Sequence, residues 1–154
     1  MVSSIGKGIV ILAAIGPNDT SKTVETMAGK ILKMRLWPDD AGAQWKHNVS
    51  DVDGEVLCVS QFTLYASTRK GTKPDFHGAA KPEIAKDLYH HFVKSMARMY
   101  EAERVKEGVF QAMMQVALVN DGPVTLQMDS DDPRRGTMTS TADLPAAMEE
   151  PLQA

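Results

Sequence analysis

Glu55-Val56-Leu57-Cys58-Val59-Ser60-Gln61-Phe62-Thr63-Leu64-Tyr65 is the stretch on which the fold turns. Its first half is a short, unbroken apolar run behind Gly54, the pattern of a strand buried inside a sheet. Its second half places Ser60, Gln61 and Thr63 in the same extended frame. A hydroxyl or amide buried without a partner costs about 1–3 kcal/mol, so such groups are either bonded across the sheet or held for a ligand. The residues alone leave both readings open. Glu55 to Tyr65 reads as the strongest strand, so Ser60 and Phe62 face one side and Gln61 and Thr63 the other. Asn120-Asp121-Gly122-Pro123-Val124-Thr125 repeats the theme, with polar groups set between the apolar runs Met113 to Val119 and Val124 to Met128. Its Asn-Asp-Gly-Pro core is a good turn, and an ordinary trans peptide is the default there.

Working outward, Ile9-Val10-Ile11-Leu12-Ala13-Ala14-Ile15 ends at Gly16-Pro17 and reads as a strand buried on both faces. Asn18 to Ser21 then offers N-cap residues before an apolar stripe of Val24, Met27, Ala28, Ile31 and Leu32, which predicts a helix covering the sheet. Leu36-Trp37-Pro38 suggests a short edge strand. A second helix is predicted from Pro82, with Ile84, Leu88, Phe92, Met96 and Tyr100 as its inward side, and Gly108 marks its exit. Val109-Phe110, Met113 to Val119 and Val124 to Met128 read as further strands. The expectation is an α+β domain over residues 1–128: a mostly antiparallel, barrel-like sheet with two covering helices. Residues 129–154 are rich in Ser, Thr, Asp, Glu and Pro without an aromatic, the composition of a disordered acidic tail.

The chain has 154 residues, 43% of them hydrophobic, enough for one domain with a real core. Its one cysteine, Cys58, excludes an internal disulfide and fits a reducing, cytoplasmic setting. The N-terminus has no signal-peptide pattern and no apolar run is long enough to span a bilayer. The net charge of -3 argues against a nucleic-acid partner until the tail is set aside. Six acidic and two basic residues lie from Asp129 onward, leaving 15 basic against 14 acidic residues in the body. Any basic patch is therefore local, and Arg69-Lys70-Gly71-Thr72-Lys73 is the dense one.

Familiar chemistry is mostly excluded. There is no nucleophile elbow, phosphate loop or dinucleotide fingerprint, and Gly6-Lys7-Gly8 is too short for any of them. No cofactor is expected. His90 and His91 are adjacent and so diverge on a helix, while His47 and His77 lack companions at ligand spacing, so no metal is expected either. No pair of carboxylates falls within the two polar segments. Hydroxyls, amides and backbone groups remain as the chemical equipment.

Ser60-Gln61-Phe62-Thr63-Leu64-Tyr65 and Asn120-Asp121-Gly122-Pro123-Val124-Thr125, in that order, resemble the two signature motifs of D-aminoacyl-tRNA deacylases. Ser4 to Gly8, Lys70 to Phe76 and Met114-Gln115-Val116 agree as well, so the resemblance covers about residues 3–130. It implies a homodimeric ester hydrolase that frees tRNA from a D-amino acid or from mischarged glycine, with no membrane or DNA partner. It further implies a cis Gly122-Pro123 bond whose carbonyls hold the substrate's α-amino group in the partner's site and exclude an L side chain. By the same resemblance Ser60, Gln61, Phe62 and Thr63 are the catalytic segment. Asn120, Gly122, Pro123, Thr125, Phe110 and Met114 bind substrate, and Arg69, Lys70 and Lys73 meet the tRNA. Thr63 corresponds to a suggested nucleophile. A lone threonine hydroxyl without a base is weak, however, which favours water assisted by the terminal ribose hydroxyl, with backbone N–H groups near Phe62 and Thr63 as the oxyanion site.

The sequence departs from the family pattern at two places. An N-terminal hairpin carrying an arginine that steadies the glycine-proline motif has no counterpart before Ser4. Gln111, in Gly108-Val109-Phe110-Gln111-Ala112, stands where the family commonly has glycine, and either crowds the pocket rim or sits in solvent. Two other classes follow from these departures and from Thr63: an inactive tRNA-binding protein, and a small-molecule esterase using Thr63 directly.

Overall fold

The computed structural model describes residues 1–131. Residues 1–119 form one compact unit, and a second begins at Asn120. The expectation of disorder for 129–154 lies, from residue 132 on, outside the described residues.

Three strands make the sheet of the first unit: β1 (Gly8–Ala13), β2 (Glu55–Ser60) and β3 (Val105–Glu107), in the order β1-β2-β3. Both pairings are parallel, with Gly8 opposite Glu55 and Cys58 opposite both Ile11 and Glu107. This corrects the antiparallel, barrel-like expectation. The reason is topological, because each pair of successive strands is joined through a helix, and a helical crossover returns the chain in the same direction. The helices are α1 (Ser21–Leu32) and α2 (Pro82–Met99). Two right-handed crossovers that step the same way along a sheet put both helices on one face. They pack against each other there.

No helix among the described residues lies on the other face, so β1 alternates rather than being buried on both sides as expected. Val10 and Leu12 are exposed while Ile9 and Ile11 are partly covered. The strands expected at Val109-Phe110, Met113 to Val119 and Val124 to Met128 are also absent, although the chain there is described. A strand needs a neighbouring strand to pair with, and among the described residues no ladder or bridge includes these segments. Met113, Val116, Leu118, Val119, Val124 and Leu126 are consequently exposed. Leu36-Trp37-Pro38 contributes only an isolated antiparallel bridge, Trp37 to His47.

Helix α1 forms where its caps and stripe predict. The Thr20 hydroxyl accepts from the Thr23 N–H at 3.2 Å in a reciprocal capping box, and Val24, Ala28, Ile31 and Leu32 are buried. Pro82 opens α2 at a position whose N–H would be unbonded anyway. Its buried side is Tyr89, Phe92, Val93 and Met96, with Ile84 exposed, which corrects the expected stripe. Steps of four overshoot the helical turn by about 40° each, so residues sixteen apart cannot share a face.

Beneath α2 the Cys58 carbonyl accepts twice, from the Tyr89 hydroxyl at 3.0 Å and from the Gly108 N–H at 2.9 Å. Burial, and then the nearby Glu107 charge, push the Cys58 thiol from 9.0 up to about 12. Burial raises the Tyr89 hydroxyl in the same direction, with Cys58 and Glu107 adding to it. Both groups are neutral in the fold and ionise more readily once unfolded. Their stabilising contribution is therefore complete below the unfolded thiol's range and is lost as pH rises through the folded values. Denaturant melts are expected to show stability falling from about pH 9 toward 12, less steeply for Cys58→Ala; equal slopes for the two proteins would contradict this origin. No helix among the described residues is long and apolar enough to cross a membrane.

Candidate active site

Parallel strands present their carboxyl ends together, the usual place for a ligand crevice. Here those ends are Ala13, Ser60 and Glu107. Strand β2 stops at Ser60, and the Gln61 N–H makes a last 2.7 Å bond to the Ala13 carbonyl. Phe62–Tyr65 is a single 3-10 turn, so the alternation expected through Thr63 gives way to a corner. Phe62, Thr63 and Leu64 are exposed and Ser60 and Gln61 half-buried. The Phe62 and Thr63 N–H groups open this turn, where no intrahelical acceptor exists, and neither has a partner among the described residues. The Gln61 Nε2 donates to Thr63 Oγ1 at 2.5 Å. An amide in either orientation is no general base, so this contact holds the threonine without activating it.

The chain beyond the corner folds back on it. Ser67 and Asp75 form an antiparallel bridge, with N–H···O distances of 2.8 and 2.9 Å, closing a loop that contains Arg69, Lys70 and Lys73. Phe76 meets Phe62 edge to face, ring centroids 5.0 Å apart. The three basic side chains are exposed, and none forms an ion pair among the described residues. Asp75 accepts from the His77 N–H at 2.8 Å and from its ring Nδ1. Those two bonds, the backbone one first, lower the Asp75 carboxyl below its usual range. The His77 contact is the feature the sequence reading missed. An aspartate two residues before a histidine is its signal, but it becomes visible only once the loop is closed.

Phe110 and Met114 both lie in the segment that follows β3. Phe110 stacks near Tyr89 and His90 at 5.6 and 6.1 Å, and Met114 Sδ accepts from the Val109 N–H at 3.3 Å. Gln111 is exposed, with φ at 60°, so it sits in solvent in a left-handed conformation that suits the glycine it replaces. In the second unit, the Asn120 side chain donates to Thr125 Oγ1 at 2.9 Å and accepts from the Val124 N–H at 3.0 Å, clasping the turn between them. Within it the Gly122-Pro123 bond is cis and Gly122 has φ of 135°. No cluster of three or more possible metal ligands occurs among the described residues.

The sequence pattern of the D-Tyr-tRNA(Tyr) deacylase family matches residues 1–129. The chain belongs to that family. It is 57% identical over 132 residues to the D-aminoacyl-tRNA deacylase of Yarrowia lipolytica, covering 84% of this chain and 86% of that one. With the Saccharomyces cerevisiae D-aminoacyl-tRNA deacylase it shares 45% over 131 residues, 85% of this chain and 87% of the relative. Among solved structures it resembles a protein described as c-Myc DNA Unwinding Element Binding Protein, with a TM-score of 0.78 and 44% identity, covering 83% and 85% of the two chains. Within the deacylase family, then, this chain carries its polar corner at the end of β2 and its Asn120-clasped turn in the second unit.

Proposed function

We infer that this chain is a D-aminoacyl-tRNA deacylase, an ester hydrolase releasing tRNA and a D-amino acid. Membership of the family across residues 1–129 carries the reading, and residues 1–128 are taken as the deacylase domain. Mischarged glycyl-tRNA, whose amino acid lacks the side chain under discrimination, is a second substrate. The proposed chemistry is attack by water, assisted by the terminal ribose hydroxyl. The Phe62 and Thr63 N–H groups receive the developing oxyanion, and Ser60 and Gln61 orient the ester. Phe110 and Met114 supply apolar contact, while Arg69, Lys70 and Lys73 attract the tRNA backbone. Asn120 and Thr125 steady the turn whose Gly122 and Pro123 carbonyls hold the α-amino group, and an L side chain is rejected by collision with that backbone. The working form is a homodimer, a reading supported by the uncovered apolar face at Val10 and Leu12. The setting is cytoplasmic.

The test is release of amino acid from matched D-tyrosyl-tRNA and L-tyrosyl-tRNA. Release from the D ester alone is expected; release from neither, or from both alike, would sink the reading. Thr63→Ala is expected to keep activity within about tenfold, because Thr63 has no base beside it, whereas loss of a true nucleophile costs several orders of magnitude. Single-turnover kinetics on the D ester separates the two.

A further inference from the structure

The loop that leaves the catalytic corner contains an arrangement that the deacylase reading does not use. His77 has its side chain 95% exposed, and its ring is bonded to Asp75. Asp75 Oδ1 takes both the His77 backbone N–H and ring Nδ1, so the remaining nitrogen, Nε2, points away from the carboxylate. The pair is fixed to the corner from both sides. The Ser67 to Asp75 bridge closes the loop at its base, and Phe76, between the two residues, seats its ring on Phe62, next to Gln61 and Thr63. The same loop carries Arg69, Lys70 and Lys73, exposed and unpaired among the described residues. With Nδ1–H donated to Asp75, Nε2 donates only from the imidazolium form of the ring; in that form, next to a loop that carries three exposed cations and is joined to the reacting corner, it is a donor for phosphodiester oxygens.

We propose that His77, oriented by Asp75, contacts a backbone phosphate of the tRNA 3′ end adjacent to the ester-bearing adenosine, and so sets the register of the substrate on the corner. Asp75 is a positioning residue that acts through the ring. The three basic residues give long-range attraction, but their flexible stems fix no geometry. The Asp75-held ring supplies the fixed point, and its Phe62–Phe76 anchorage carries that point to the oxyanion donors.

The proposal rests on the deacylase reading, and two measurements on the full chain keep their failures apart. The first is binding of uncharged tRNA to wild type, His77→Ala, His77→Arg and Asp75→Asn across a salt series, with inorganic phosphate as competitor. His77→Ala is expected to weaken binding about fivefold and to reduce the salt slope by about one, while His77→Arg, which keeps a donor, recovers part of the loss. The second is kcat/KM on D-tyrosyl-tRNA against D-tyrosyl-adenosine, which lacks the phosphate. The ratio of the two is expected to fall at least fivefold in His77→Ala and to move the same way in Asp75→Asn. An unchanged ratio with unchanged binding overturns the proposal and leaves the deacylase reading standing. His77-dependent binding without hydrolysis overturns the deacylase reading instead. Displacement of the His77-dependent part by inorganic phosphate at constant ionic strength would make this a free-anion site and also overturn the proposal.

Discussion

Gly122→Ala is expected to cost at least about fivefold in hydrolysis of D-tyrosyl-tRNA, in its preference over the L ester, or in both, with little change in melting temperature. The backbone at Gly122 has φ of 135°, a region that side chains rarely tolerate. A Cβ added there would lie 2.8 Å from Val124 Cγ2 and 3.0 Å from the Val124 N. The valine methyl can swing aside, but the main-chain nitrogen cannot. Relief requires the turn to reopen, against the Asn120 bonds to Val124 and Thr125 that hold it. Strain of this kind amounts to about 1–3 kcal/mol, which corresponds to about five- to 150-fold in a rate that depends on the turn's shape. The turn is exposed, so the loss should appear in kinetics rather than in a melt. Retention of both rate and chiral preference would remove Gly122 from the discriminating machinery.

Gly8→Ala is expected to be the most damaging small substitution for folding. Gly8 lies opposite Glu55 at the start of the β1-β2 ladder. An added Cβ would fall 1.9 Å from the Glu55 carbonyl oxygen and 2.7 Å from its carbon and nitrogen. Every one of these is backbone, so no rotamer change relieves the overlap, and β1 must move off β2 where the sheet begins. A cost of about 3 kcal/mol is anticipated, a large share of the roughly 5–15 kcal/mol that holds a domain together. Thermal unfolding should fall by on the order of 10 °C. Gly29→Ala is the control, since its Cβ would meet only Met99 Sδ at 3.5 Å, inside a helix that favours alanine. An unshifted melt for Gly8→Ala would show that the two strands can separate there without loss.

Gly8 also illustrates what was legible in the chain. Gly6-Lys7-Gly8 invited comparison with phosphate-binding loops, and no local pattern says that a glycine is there to admit another strand's carbonyl. Elements with their own periodicity were readable: the α1 stripe, the Thr20 cap region, Pro82 at the head of α2 and the buried run of β2. Strand direction was readable too, had the helical connections been weighed above the apolar runs after Gly108. Those runs have strand-like composition, but composition specifies no partner. At the site, the identity of the two polar segments was plain, whereas their shapes were not. Phe62 and Leu64 alternate with polar neighbours as a strand would, yet form a corner. The isomer at Gly122-Pro123 is set by context, not by the dipeptide. The stretch from Gln44 to Asn48 has neither helical nor strand periodicity, and it turns at Trp45, whose φ of 62° is unusual for so large a residue.

The placement of both helices on one side of the sheet bears on how this gene tolerates variation. On the helix-covered side, residues such as Val56, Cys58 and Met96 answer to the chain's own folding, and a bad replacement reveals itself in the purified monomer. Under the proposed homodimer, Val10 and Leu12, exposed in the single chain, answer to the partner that would cover the opposite side. On that proposal, a polar replacement there would pass every test of a well-folded chain and still be a loss-of-function allele. Two classes of inherited damage, one seen in stability and one only in company, thus alternate residue by residue along a single six-residue strand.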